Sequence, residues 1–447
     1  MNATFGRLAV AIVIVGWATS TSGQQTQAPR PERPYTGLFG GGLGETEQAL
    51  IATGSVSGGW DDNVLVAALQ EPAFNANGAN LSLDSAAYGQ VGAGLSYTLT
   101  KKRIDFSTSL ATSGRYFPGF STPYVAGHSG NVGASLMLSR NARLTAGHGA
   151  SFQPYQMLLL GPPIVNAELG EAVVAEQAFG VGRGEYISQT SGVAFNRKIG
   201  RRSSFDLNYG LTRTNSSSEM ANLTMKTSGA RLSTGVSRGL GLHFGYEYTD
   251  ARQVVHSAAS TLQGHNIDVG IDFSRSLSPS RRTQLSFSTG SSAIRYSDHL
   301  YYRVTGQANL VREIGRTWSA SVAYDRGVYF VEQFREPFFN DGVTLSVGGL
   351  ITRRLQFHSG ASAIKAQVGL SAIRNDYRSY NAVTGVNVAL SRYLGIGADY
   401  LYYDYDFNGQ ELLPANLSRR MGRHGARVSL SAWAPLFHRA RKPDATR

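Results

Sequence analysis

The sequence predicts an all-β chain: a closed, antiparallel transmembrane β-barrel of about 18 strands, with short turns on one side and longer loops on the other. Three observations predict it. Eight short basic turns punctuate the 447 residues at near-constant spacing. The segments between them alternate in polarity with period 2, and each is long enough to cross a bilayer. Beyond the first residues, no apolar run approaches the ~20 residues of a spanning helix, so a chain that crosses a membrane must do so as a closed barrel.

Residues 1–23 read as an export signal. Arg7 supplies the positive start, LAVAIVIVGW the apolar segment, and small residues place the cut after Ser20 or Gly23. The alternative, an uncleaved anchor, is disfavoured because ten apolar residues are too few. Residues 24–48 form a Pro- and Gly-rich lead, expected as an extended periplasmic tether. Residues 49–437 form the barrel and 438–447 a basic tail, HRARKPDATR.

The turns centre on Lys102, Asn141, Gly200, Gly239, Ser278, Gly315, Arg354 and Tyr393, at spacings of 39, 59, 39, 39, 37, 39 and 39 residues. Such a fixed period marks a repeat architecture. On either side of each turn the side chains alternate, as in Leu240, Leu242, Phe244, Tyr246 and Tyr248 against Gly241, His243, Gly245 and Glu247. Alternate strand residues point to opposite faces. Each segment therefore has one oily face and one small, polar face. Two strands of about 11–14 residues fit each repeat; strands of soluble proteins average ~5–6, and a tilted membrane strand needs ~9–11. A propeller of similar period is disfavoured by that length.

Eight turns join sixteen strands. A first strand at about 49–60 and a last at about 423–435 complete an even count of eighteen. The longer connections are read at 62–81, 118–127, 154–184, 254–262, 331–341 and 407–419. The 154–184 segment accounts for the long interval and holds a candidate short helix at 167–178. It is read either as a constriction folded into the pore or as a solvated loop.

Charge is unevenly placed. Of the net +12, the eight turn windows hold 18 Lys and Arg against Glu313 alone, so the strands and outer loops are acidic on balance. The basic rim suits anionic headgroups, and no nucleic-acid partner is expected. By parity the lumen-facing acids are Asp105, Asp206, Glu247, Asp268, Asp272, Asp325 and Asp399, with Arg231 and Arg427 as lumen-facing bases. Either they give an open pore a mild cation preference or they pair as internal struts. The lipid-facing aromatics are Tyr97, Phe205, Tyr209, Phe244, Tyr246, Phe273, Trp318, Tyr324, Tyr400 and Tyr402, residue types favoured at membrane interfaces.

With these features the chain resembles Gram-negative outer-membrane β-barrels. The segment SVSGGWDDNVL, Ser55 to Leu65, is similar to the aromatic–Asp–x–Asn opening of the β-barrel porin 2 group. That resemblance implies an outer-membrane location and, for some members, service to exopolysaccharide export. Arg423, Gly425, Val428 and Leu430 resemble the terminal signal read by the barrel-assembly machinery, although ten residues follow Phe437.

No cysteine is present, which excludes disulfides, Cys-ligated metals and thiol nucleophiles. The nine His show no metal-binding spacing, and neither a nucleophile elbow nor a P-loop appears. Asp61–Asp62–Asn63 is read as a turn rather than a calcium site. No catalytic residue, cofactor or metal is expected. The expected partners are outer-membrane lipids, the assembly machinery and a periplasmic protein at the basic rim. The expected function is a porin-like outer-membrane channel for polar solutes. The rivals are a barrel for exopolysaccharide secretion and a plugged barrel acting as enzyme or adhesin.

Overall fold

A computed structural model of the chain describes residues 46–64, 84–118, 124–157, 180–216, 222–237, 239–255, 258–277, 282–296, 299–329, 338–368, 375–408 and 419–440. The export signal, most of the lead, the 167–178 helix and the last seven residues lie outside them. Eighteen strands follow in order: β1 Thr46–Val64, β2 Asp84–Thr100, β3 Ile104–Tyr116, β4 Tyr124–Ser139, β5 Ala142–Met157, β6 Gly180–Lys198, β7 Ser203–Ser216, β8 Asn222–Gly235 and β9 Leu240–Val255. The second half is β10 Ala258–Ser276, β11 Thr283–Tyr296, β12 His299–Ile314, β13 Trp318–Tyr329, β14 Phe338–Leu350, β15 Leu355–Val368, β16 Asn375–Ala389, β17 Leu394–Asn408 and β18 Arg420–Ala440.

Every strand pairs antiparallel with its neighbours in sequence, and β1 also pairs with β18, so the sheet closes on itself. Closure leaves no edge strand, which is what allows a sheet to exist in a medium that offers no hydrogen bonds. All eight basic turns fall between strands, on one side of the barrel. The turn between β12 and β13 contains Gly315 at φ 65°, a left-handed conformation that costs other residues energy. The strands run from 12 residues in β13 to 21 in β18, beyond the bilayer minimum. An 18-strand closed barrel is wide enough to enclose water.

Several boundaries differ from those expected. Asp61 and Asp62 lie in β1, not in a turn: Asp61 still pairs with Ala86 of β2 and Gly425 of β18, and the strand runs on through a register shift to Val64. The 254–262 segment is not a long loop: Val255 pairs directly with Ala258. β5 continues past Pro154 to Met157 through a register shift between Gln153 and Tyr155. β18 likewise passes Pro435 through a shift opposite Leu50 and Ile51, and takes the first residues of the expected tail into the sheet. Proline cannot donate to a ladder and is accommodated at bulges, so neither proline ends its strand.

The two faces of the wall differ. On one, large apolar side chains stand open, among them Val56, Val91, Phe244, Val304 and Val428. On the other, side chains from strands two apart touch, and polar groups such as Asp206, Asn340, Gln356 and Asn381 are buried. Crowding of this kind marks the concave side of a curved sheet, the side that lines the interior.

Candidate functional site: the polar wall of the barrel

The open face carries rows of aromatic residues toward both strand ends. Near the turns, Trp318 stacks on Phe357 with ring centroids 5.8 Å apart and donates its indole N–H to the Leu350 carbonyl at 3.0 Å. Phe273 stacks on Phe287 at 5.1 Å, and Tyr393 on Trp433 at 6.3 Å. Toward the loop side, the Tyr246 hydroxyl meets His265 Nδ1 at 2.8 Å and the Tyr400 hydroxyl meets His424 Nδ1 at 2.6 Å. Tyr248 and Tyr402 lie against the same two imidazoles. Tyr97, Phe205, Tyr209 and Tyr324 stand on this open face too, in register with Leu50, Leu232, Val193 and Val343.

The crowded face carries Asp105, Asp206, Arg231, Glu247, Asp268, Asp272, Asp325, Asp399 and Arg427. The fold gathers five of them into two clusters. In the first, Arg231 of β8 reaches across β9 to β10. One guanidinium nitrogen donates to both oxygens of Asp272, at 2.9 and 3.0 Å, and another lies 3.5 Å from Asp268. His243 of β9 sits between the same two carboxylates, with Nε2 3.0 Å from Asp268 and Nδ1 3.1 Å from Asp272. In the second cluster, Asp399 of β17 receives Arg427 at 2.7 Å and His358 Nε2 at 3.1 Å, while Asn387 Nδ2 approaches His358 Nδ1 at 3.5 Å.

Both clusters depend on a glycine in the strand between. Gly245 is in register with Arg231 on one side and Asp268 on the other, and a Cβ there would lie 3.3 Å from Asp268 Cβ. Gly385 is in register with His358 and Asp399, and a Cβ there would come within 2.8 Å of the His358 ring while colliding with the Asp399 carboxylate. The missing side chain lets the flanking groups meet over the backbone. Both histidines are the fourth residue of their strand, at one height above the basic turns.

The other expected lumen residues stay outside these clusters. Asp206 accepts from Asn196, and Glu247 receives a longer bond, 3.4 Å, from Asn266. Asp105 is opposite Ser135, and Asp325 is opposite Gln307. Asp268, Asp272 and Asp399 are thus paired as struts, while Asp206 and Glu247 meet neutral amides and keep their charge on the wall.

Sequence reasoning missed three features of the crowded face. The first is the pair of bridging histidines. The second is an aromatic wall near the loop side, where Phe338, Tyr377, Tyr403 and Tyr405 are fully buried and Tyr377 lies 4.6 Å from Phe407 between ring centroids. The third is Arg423, read as part of the assembly signal. Its side chain grips Asp61 through Nε at 2.9 and 2.8 Å and through a guanidinium nitrogen, with both groups buried. Of the other signal residues, Gly425 lies opposite Asp61, and Val428 and Leu430 stand on the open face.

The class defined by these features is a closed 18-strand antiparallel β-barrel with an apolar outside and a polar interior wall. Solved barrels resemble it in fold at low identity. Pseudomonas aeruginosa OccK2 (OpdF), solved in complex with glucuronate, is 11 % identical, with 88 % of this chain and 100 % of that one covered and a TM-score of 0.46. Pseudomonas aeruginosa OpdL is 9 % identical, with 88 % and 99 % covered and a TM-score of 0.43. The siderophore receptor PirA from Pseudomonas aeruginosa is 10 % identical, with 86 % and 80 % covered and a TM-score of 0.39. No protein-family model and no curated protein matches the sequence.

Proposed function

We propose that this protein is an outer-membrane channel of a Gram-negative bacterium that passes polar solutes through the barrel. One observation carries the reading: the two faces of the wall suit two solvents. The open face is aliphatic in its middle and aromatic toward both ends, as a lipid-facing band about 25 Å tall requires. Apart from the aromatic wall near the loop side, the crowded face is lined by Gly, Ser, Asn and paired charges, which suit water and polar solutes. The Arg–Asp–His clusters hold charge in internal pairs, so solute passage is governed by size and hydrogen bonding more than by charge. The remaining acids give a weak preference for cations. No catalytic step and no cofactor enter this reading.

Liposome swelling tests it. Vesicles containing the refolded protein should swell in neutral mono- and disaccharides at rates that fall with solute size. Vesicles that stay as tight as protein-free ones, with the barrel shown folded by its heat-dependent gel mobility, would overturn it.

A second reading, export of a polysaccharide with a periplasmic partner docked on the basic rim, is supported by the Ser55 to Leu65 resemblance and by the Lys and Arg concentrated in the turns. It predicts that the full chain retains a periplasmic partner, and that replacing Arg353 and Arg354 weakens that retention.

A further inference from the structure

On the open face, at the loop end of six consecutive strands, one row of charged residues runs in unbroken register. Arg326 of β13 faces Asp341 of β14, Asp341 faces Lys365 of β15, and Lys365 faces Arg378 of β16. Arg378 faces Asp406 of β17, which faces Arg420 of β18. Four cations share the row with two carboxylates. Directly on the barrel side of the row, on the same face, stand Tyr324 and Tyr380, and one step further Tyr402 and His424.

The height of the row fits a membrane boundary. Lys365 is ten residues from Leu355 at the turn end of β15. At ~3.3 Å per residue and a tilt of about 40°, that is roughly 25 Å, the thickness of the lipid-facing band. Between them on this face β15 carries only Phe357, Ser359, Ala361 and Ala363.

The charge order within the row is unusual. Lys365 and Arg378 are direct cross-strand partners, and both are exposed. Like charges placed opposite one another destabilise a sheet. The nearest carboxylate on the β14 side, Asp341, is already engaged: it accepts from the Tyr324 hydroxyl at 2.6 Å and lies 3.6 Å from Arg326. On the other side Arg378 faces Asp406, with Asp404 one step toward the turns, so Lys365 is the cation left with Arg378 as its direct partner; where headgroups lie, an anion with several acceptor oxygens would bridge the two and relieve their repulsion.

We propose that this row binds the phosphate of an anionic outer-leaflet lipid, with Lys365 and Arg378 gripping the phosphate from both sides and Tyr380 packing beside its acyl linkage. Arginine and lysine are the residues that hold phosphate, the first by a planar fork and the second as a point charge. The inference rests on reading the open face as lipid-facing.

The test is native mass spectrometry of the full chain in detergent, titrated with phosphatidic acid, with phosphatidylcholine as the neutral reference. The wild type should retain phosphatidic acid in preference to phosphatidylcholine. The Lys365→Ala/Arg378→Ala variant should lose roughly tenfold or more in that affinity, since each basic residue at a membrane surface contributes about 1 kcal/mol. Lys226→Ala, which removes a cation facing Asp250 on β8 and β9, should not. Equal retention by the wild type and the double variant would overturn the proposal. So would displacement of the lipid by millimolar inorganic phosphate, which would assign the site to the free ion. If the wild type also fails to insert into phosphatidylcholine vesicles, the lipid-facing reading itself fails; insertion without a phosphatidic acid preference sinks the row alone.

Discussion

Asp61 and Arg423 stand 362 residues apart in the chain and are joined by a buried ion pair across the closing seam between β1 and β18. The two strands are the last to meet in sequence order, and their ladder holds fifteen residue pairs, from Thr46–Ala440 to Asp61–Gly425. The ion pair lies at its loop-side end, next to the bond that the His424 N–H donates to Asp62 at 2.6 Å.

Removing one partner leaves the other charge buried without its ion-pair mate. Asp61→Ala or Arg423→Ala should therefore lower stability by about 3–5 kcal/mol, read as a shift in the urea midpoint of the folded barrel in vesicles. Removing both together should cost less than the sum of the two single changes. Additive losses would show that the two groups do not act as a pair.

Gly385 makes room for the contact between His358 and Asp399. A methyl group there has no free space, so Gly385→Ala should cost about 1–3 kcal/mol and widen the separation of the two side chains. Gly89, where a Cβ meets nothing within 4 Å, provides the comparison; Gly89→Ala should be close to neutral. Equal effects at the two positions in urea titrations would contradict the packing described.

Gly315 is also surrounded by open space, but its φ of 65° is unfavourable for side chains. Gly315→Ala should cost about 1 kcal/mol through the backbone alone. A neutral result would mean that the turn relaxes to another conformation.

Arg231 balances Asp268 and Asp272. Arg231→Ala leaves both carboxylates on the interior wall without it, so the channel should become more cation-selective. Zero-current potentials across a salt gradient should move toward the cation limit. Arg427→Ala should act in the same direction through Asp399. A move toward anion selectivity would contradict the proposal that these groups line the conducting path.

The barrel was legible in the sequence because its signals repeat. Each basic turn is followed by the same alternation, and the spacing between turns fixes both strand number and length. LGLHFGYEYTD in β9 and LGIGADYLYYD in β17 even share two tyrosines and a final aspartate at the same offsets: Tyr246, Tyr248 and Asp250 match Tyr400, Tyr402 and Asp404. Parity also assigned Arg231, Asp268, Asp272, Asp399 and Arg427 to one face. It could not show that Arg231 crosses a whole strand to reach Asp272, because that contact depends on the curvature of the wall and on Gly245.

The aromatic wall was within reach of the same rule. Tyr403, Tyr405 and Phe407 share the parity of Asp399, but aromatic side chains are the residue type expected on the lipid face, so composition alone hides them. The Asp61–Arg423 pair was not readable, because nothing local to either residue announces a partner at the opposite end of the chain. Proline misled at Pro154 and Pro435, where the ladder absorbs it in a register shift rather than ending.

The division of the wall into a lipid side and a water side is best tested on β18. The native chain has no cysteine, so single cysteines can be placed one by one from Gly425 to Leu430 and probed in vesicles with a membrane-impermeant thiol reagent. Reaction should alternate: fast at 427 and 429, on the interior wall, and slow at 426, 428 and 430. Uniform labelling along the strand, or the opposite alternation, would contradict it.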